Sequence, residues 1–163
     1  MSKVTEKIQE LYGEKLRVRV CGICLKDDQL LLVHHKGLGK ANSLWAPPGG
    51  GMQYGESAHE ALKREFLEET GLEIEIRRFL FVHEYLDPPL HGIELFFEVA
   101  VLGGVLKTGI DPEMEGEEQL ITQTDYQDLN LLKESAPDSL HFVLQKINDP
   151  KAILNQSGYF KFH

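Results

Sequence analysis

Hydrophobic and polar positions divide the chain into short segments of differing period. Residues 3–12 set Val4, Ile8 and Leu11 on one side at helical spacing. Residues 16–25 and 29–36 are apolar and rich in β-branched side chains, with polar Lys26-Asp27-Asp28 between them, and predict two strands joined by a hairpin turn. A loop with Gly37, Gly39 and Asn42 follows. In Leu44-Trp45-Ala46-Pro47-Pro48-Gly49-Gly50-Gly51 the prolines and glycines exclude a helix or a central strand. Residues 57–70 predict a helix, with Ser57 and Glu60 as a capping box and Gly71 as its stop. Residues 73–86 and 92–103 predict strands, broken by Asp87-Pro88-Pro89. After an acidic, glycine-containing loop over 104–118, a strand is expected at 118–123. Thr124 is expected to cap a helix over 125–132, and 138–147 also reads as helical. The tail after Asp149-Pro150 has no clear pattern. Strands interleaved with a few helices indicate an α/β domain with a mixed sheet.

Length and composition narrow the class. The chain has 163 residues and 18.5 kDa, the size of one domain over 1–163, with no repeat or linker. No apolar run reaches the ~18 residues that cross a bilayer. Met1–Ile8 has no apolar core, so no secretory signal is expected and the setting expected is cytoplasmic. Twenty-six acids against 17 Lys plus Arg give a net charge of −9. That excludes the basic stripe on which nonspecific nucleic-acid binding rests, and no membrane partner is expected. An acidic chain that binds a small phosphorylated ligand needs a divalent cation to do so.

The two cysteines, Cys21 and Cys24, form C-x-x-C inside a predicted strand. Three strand steps of about 3.3 Å put their Cα atoms roughly 10 Å apart, beyond disulfide reach. No helix follows to activate a thiol, and no further Cys completes a zinc site. Buried, unbridged thiols are the expectation, which fits a reducing compartment.

The helix at 57–70 carries the chemistry. With residue 58 at zero and about 100° per residue, Ala58, Ala61, Leu62 and Phe66 form an apolar stripe. Glu65 falls at about −20°, Glu69 at about +20° and Glu68 at about −80°, so three carboxylates continue the stripe. Glutamate is seldom buried unpaired, and the helix C-terminus disfavours negative charge. A solvated acidic face would explain three acids alone. The exposed face, however, already holds His59, Glu60, Lys63 and Thr70, and Leu67 points outward, where packing against a further element is expected. Convergence of Glu65, Glu68 and Glu69 on a hard divalent cation removes both penalties. Arg64, four residues before Glu68, is in reach to orient it.

The wider spacing from Gly50 to Leu72 resembles the Nudix box. That pattern is Gly, five residues, Glu, seven residues, Arg-Glu, a bulky apolar residue, any residue, Glu-Glu, any residue, Gly and a bulky apolar residue. Gly50, Glu56, Arg64, Glu65, Phe66, Glu68, Glu69, Gly71 and Leu72 fill every defined slot. Average residue usage makes a chance match at one start on the order of one in a billion. Phe66 stands where an aliphatic residue is more usual, which alters packing only. The resemblance extends to about residues 14–147 and implies the family's α/β/α sandwich around a mixed sheet.

It also implies a Mg²⁺-dependent hydrolase, with Mn²⁺ as a possible substitute, cleaving a phosphoanhydride in a nucleoside diphosphate linked to another group. Nucleotide sugars, ADP-ribose, damaged nucleoside triphosphates and dinucleoside polyphosphates are the open substrate classes. By carry-over, Glu65, Glu68, Glu69 and the backbone carbonyl of Gly49 are the metal ligands. Glu65 or Glu68 is the water-activating base, assisted by Arg64, and Glu56 stabilises the geometry of the loop and helix. The family often adds a ligand from a late loop, which makes Glu113, Glu115, Glu117 and Glu118 candidates. The resemblance leaves a homodimer open. Tyr54, Phe81, Tyr85 and Phe96 could stack on a base or fill the core. The histidines show no metalloprotease spacing and read as structural or exposed. Two other classes compete: a nucleotide-sensing or partner-binding module, against which the intact box argues, and an isopentenyl-diphosphate isomerase-like enzyme, which would need Cys21 or Cys24 at the metal.

Overall fold

A computed structural model describes residues 3–114 and 116–162. Its first helix, α1 (Lys3–Tyr12), precedes β1 (Lys15–Ile23), which runs parallel to the central strand β7 (Leu90–Gly104). On the other side of β1 lies the short edge strand β5 (Gly49–Gly51), antiparallel to it. β6 (Leu72–Asp87) forms a long antiparallel hairpin with β7, and β9 (Gly158–Phe162) adds in parallel to β6. The resulting mixed sheet has the order β5-β1-β7-β6-β9. Of the glycine- and proline-rich segment, Gly49–Gly51 thus form an edge strand, and Pro47 and Pro48 precede it outside any strand, where a missing ladder donor costs nothing.

A second, antiparallel sheet is built on β3 (Gln29–Lys36), which pairs with β2 (Leu25–Lys26), β4 (Ser43–Ala46) and β8 (Ile121–Gln127). The chain leaves the first sheet at Cys24. It then turns through Asp27 and Asp28, which have φ values of 49° and 62° and make the two-residue hairpin expected of such residues.

Helix α2 (Ala58–Thr70) has the boundaries the sequence predicts. Ser57 and Glu60 complete the capping box, and Gly71 ends the helix at a φ of 73°. Its apolar stripe of Ala61, Leu62 and Phe66 packs with Val20, Ile74 and Val99 on one face of the mixed sheet and with Leu31 of β3. Full burial of a side chain such as Phe66 is worth about 2–3 kcal/mol. The opposite face, with Cys21, Ile23, Phe81 and Phe96, packs against the C-terminal elements through Leu140, Leu144 and Ile153.

Those elements differ from the sequence expectation. The helix expected at 125–132 with Thr124 as its cap is instead the end of β8 followed by α3 (Leu129–Ser135). Pairing of residues 123–127 with β3 overrides local propensity. Asp128 is the true cap, accepting from the amides of Asn130 and Leu131. The helix expected at 138–147 is a 3-10 turn at Pro137–Ser139 and the single turn α4 (Phe142–Gln145). They are separated because Leu140 bridges to Trp45 and the His141 amide donates to the Trp45 carbonyl. The tail supplies a 3-10 turn at Pro150–Asn155 and then β9. Leu67 remains 53% exposed, so the packing expected over it is absent among the described residues. Both cysteines are free and buried, on opposite faces of the mixed sheet. Among the described residues no helix is long and apolar enough to cross a membrane.

Candidate active site

The acidic end of α2 lies against the glycine strand β5. The Glu65 and Glu69 side chains retain only 12% and 7% of their exposure, whereas that of Glu68 keeps 26%. This is the order that the helical projection implies. Glu69 Oε2 accepts from the Gly49 amide at 2.9 Å. A Cβ on Gly50 would sit 2.4 Å from the Glu65 carboxyl carbon, so only glycine leaves the carboxylate its place. Gly49, Glu65, Glu68 and Glu69 are therefore brought together where β5 meets the helix.

Arg64 binds this group to the preceding loop. Its Nη2 donates to Glu56 Oε1 at 2.7 Å and its Nε to Glu56 Oε2 at 3.1 Å, a two-point contact. Nη1 donates to Glu65 Oε1 at 2.8 Å and to Glu68 Oε2 at 3.2 Å, and Nη2 also reaches the Gly51 carbonyl at 3.1 Å. Glu56 in turn accepts from the Gln53 amide. One guanidinium thus fixes the loop, the edge strand and two carboxylates.

It does not neutralise them all. Burial and the neighbouring Glu69 push the Glu65 carboxyl up to about 7, although Arg64 opposes the shift. Burial also raises Glu68, again against Arg64. Glu56 shifts the other way, held below its ordinary range by the Arg64 hydrogen bonds. The site is an oxygen-rich cluster with surplus negative charge, a donor set suited to a hard divalent cation.

Two neighbours were not legible as site residues. His35 on β3 lies with Nε2 3.9 Å from Glu69 Oε1, and its Nδ1 is buried without a hydrogen bond. Asp111 arrives on the loop that closes the end of α2. Amides of Lys107, Gly109 and Ile110 donate to the carbonyls of Thr70, Glu69 and Glu68, using acceptors that a helix end leaves open. Asp111 follows directly, half-buried; burial raises its carboxyl, and the Glu69 charge adds to this. Of the late-loop glutamates, Glu113 instead bonds Tyr12 and Glu118 pairs with Lys7, both toward α1. Glu117 is exposed, and Glu115 lies outside the described residues.

The aromatic candidates separate as well. Phe81 and Phe96 are stacked in the core at 4.6 Å. Tyr54 is fully exposed, and Tyr85 is half-buried beside Phe142. Cys21 and Cys24 are core side chains, each with its thiol pushed up by burial.

With this geometry in place, comparison with known proteins settles the class. The NUDIX domain family matches residues 15–144, and the chain belongs to the Nudix family, whose members include pyrophosphatases. It is 36% identical over 123 residues to an ADP-ribose pyrophosphatase of Methanocaldococcus jannaschii, covering 74% of this chain and 67% of that protein. It is 33% identical over 110 residues to mouse 8-oxo-dGDP phosphatase NUDT18, covering 64% of this chain but only 33% of the mouse protein. Among solved structures, a Nudix hydrolase from Nitrosomonas europaea superposes with a TM-score of 0.69 at 19% identity, covering 86% of this chain and 89% of that one. The mixed sheet flanked by helices is therefore the family fold.

Proposed function

We propose that this chain hydrolyses the diphosphate bridge of a nucleoside diphosphate joined to a second group, with Mg²⁺, or Mn²⁺ in its place. The carrying observation is the burial of Glu65 and Glu69 side by side, with more negative charge than Arg64 offsets. Glu65, Glu68, Glu69 and the Gly49 carbonyl would hold the ion. Bound there, it supplies charge neutralisation at the diphosphate and acidifies nearby water.

The chain's own groups do the rest. Arg64 keeps Glu65 and Glu68 in fixed orientations through its hydrogen bonds, so little reorganisation accompanies the reaction. Glu68, the most accessible of the three, accepts the proton of the attacking water. The water oxygen joins one phosphorus as the bridging P–O bond breaks. Two phosphate monoesters leave, or one monoester and inorganic phosphate where the second group is absent, and the proton passes from Glu68 to solvent. ADP-ribose is the substrate class to expect first, because the Methanocaldococcus relative bears that activity in its name. The 8-oxo-dGDP class follows on the same ground.

A panel of ADP-ribose, nucleotide sugars, 8-oxo-dGDP, nucleoside triphosphates and dinucleoside polyphosphates, each with Mg²⁺ and with Mn²⁺, tests the reading. Glu68→Gln should lower kcat on the best substrate by about a hundredfold or more while the melting curve is retained. Unchanged turnover in that variant overturns the assignment of the base. Calorimetric binding without product from any substrate overturns the hydrolase reading in favour of a sensing module.

A further inference from the structure

On the face of β1 away from α2, Arg19 lies beside Glu94 of β7 and opposite Gly51 of β5 in the strand register. Its Nε is buried 3.4 Å from Glu94 Oε1, an ionic contact without hydrogen-bond geometry. Its two Nη groups make no hydrogen bond among the described residues and are open to solvent, and the side chain is 33% exposed. Glu65 and Glu69 act on it electrostatically, yet neither comes within ion-pair distance. In a chain of net charge −9, a guanidinium with its fork unspent, set in register against the strand that carries the site glycines, is unusual. Its neighbour on the same face, Arg17, is already engaged, lying 3.6 Å over the Tyr12 ring.

Glu94 is itself held from the far side. Its Oε2 is 2.9 Å from His83 Nδ1 and 2.9 Å from His141 Nε2, on β6 and just before α4. These three residues have ligand atoms within 4.8 Å of one another and resemble a transition-metal site. The proton placement argues otherwise. His141 Nδ1 accepts from the Val143 amide at 3.4 Å, which puts the ring proton on Nε2, aimed at Glu94. A lone pair facing an ion is therefore absent at Nε2, and the Arg19 cation stands across the same carboxylate. The cluster is a hydrogen-bonded buttress from β6, β7 and the C-terminal layer.

We propose that Arg19 grips the diphosphate oxygens of the substrate that the metal ion leaves uncovered, and that Glu94, His141 and His83 are positioning residues that hold its guanidinium in place. This rests on the hydrolase reading. The planar fork suits two-point contact with phosphate oxygens, and a backed guanidinium loses less freedom when it binds.

Steady-state kinetics on the substrate that the wild type turns over best test the idea, alongside Mn²⁺ titration by electron paramagnetic resonance and melting curves. Hydrogen bonds to charged groups correspond to roughly ten- to a hundredfold in affinity. Arg19→Gln should raise KM by about that factor, change kcat far less and leave Mn²⁺ binding intact, with Arg19→Lys between the two. His141→Leu should raise KM in the same direction. In the double variant KM should rise no further than in Arg19→Gln alone, which a merely structural loss would not produce. An Arg19→Gln KM within twofold of wild type, or effects of the two variants that multiply, would overturn the proposal. If Arg19→Gln melts early, Arg19→Lys and equilibrium binding of α,β-methylene-ADP carry the same decision. A wild type inactive on the whole panel refutes the hydrolase reading. An active wild type with an indifferent Arg19→Gln refutes this inference alone.

Discussion

At Glu65, burial and the Glu69 carboxylate both oppose ionisation, and Arg64 does not fully offset them. The folded-state value of about 7 lies above the ordinary 4.5. This group's contribution to stability is therefore fully present below about pH 4.5 and lost as pH rises through about 7 in metal-free protein. The loss is on the order of 3 kcal/mol by pH 8. Glu56 and Glu94, with lowered values, act in the opposite direction as pH falls. Glu65→Gln should thus stabilise the metal-free protein against urea at pH 8 and not at pH 4.5. Equal stabilisation at both values would count against a strained carboxyl. The Arg64–Glu68 contact was legible as an i, i+4 pair. The Arg64–Glu56 contact spans eight residues and depends on how the loop enters the helix. Arg19, Glu94, His83 and His141 carry no mutual spacing signal, because strand pairing makes the first three neighbours and the C-terminal layer brings His141 onto them.

At the scale of elements, α2 is the best-determined piece of the molecule, since cap, stripe and stop all agree in the sequence. The box residue Phe66 does have a packing consequence. A Cβ on Gly22 of β1 would lie 2.3 Å from its ring. Gly22→Ala should cost about 1–3 kcal/mol through overpacking, lower the melting temperature and tilt the glutamates. Adding Phe66→Leu should restore much of the loss. A melt unaffected by Gly22→Ala would show that the contact is soft. The strand expected at 118–123 runs on to Gln127, and the helix expected from 125 starts only at Leu129, because the strand character of 124–127 comes from β3 across the sheet, not from local periodicity. The helix expected over 138–147 shortens to α4 because the backbone bond between His141 and Trp45 interrupts it.

For the whole molecule, the site is closed from several distant parts of the chain. The loop over 104–118 takes the last carbonyls of α2, while α1 holds the loop through Tyr12–Glu113 and Lys7–Glu118. Asp111, rather than Glu113, Glu117 or Glu118, is what this arrangement delivers toward Glu68 and Glu69. Asp111→Asn should weaken Mn²⁺ affinity about tenfold, the scale expected for a group that supports metal ligands. Melting of the metal-free protein should not fall, since a buried carboxyl is removed. Unaltered Mn²⁺ titration would place Asp111 outside the site. Sequence spacing could not reveal this residue, because its position follows from a loop capping a helix rather than from any periodic pattern.

The two thiols have a practical consequence. Cys21 lies on the side of the C-terminal layer, and Cys24 lies on the side of α2, 3.5 Å from the Tyr126 hydroxyl in the wall of a surface pocket. Each is 3% exposed, so reagents that consume thiolates reach its sulfur as the packing on its own side opens. The chain therefore carries a separate chemical clock for the breathing of each half, with no label added.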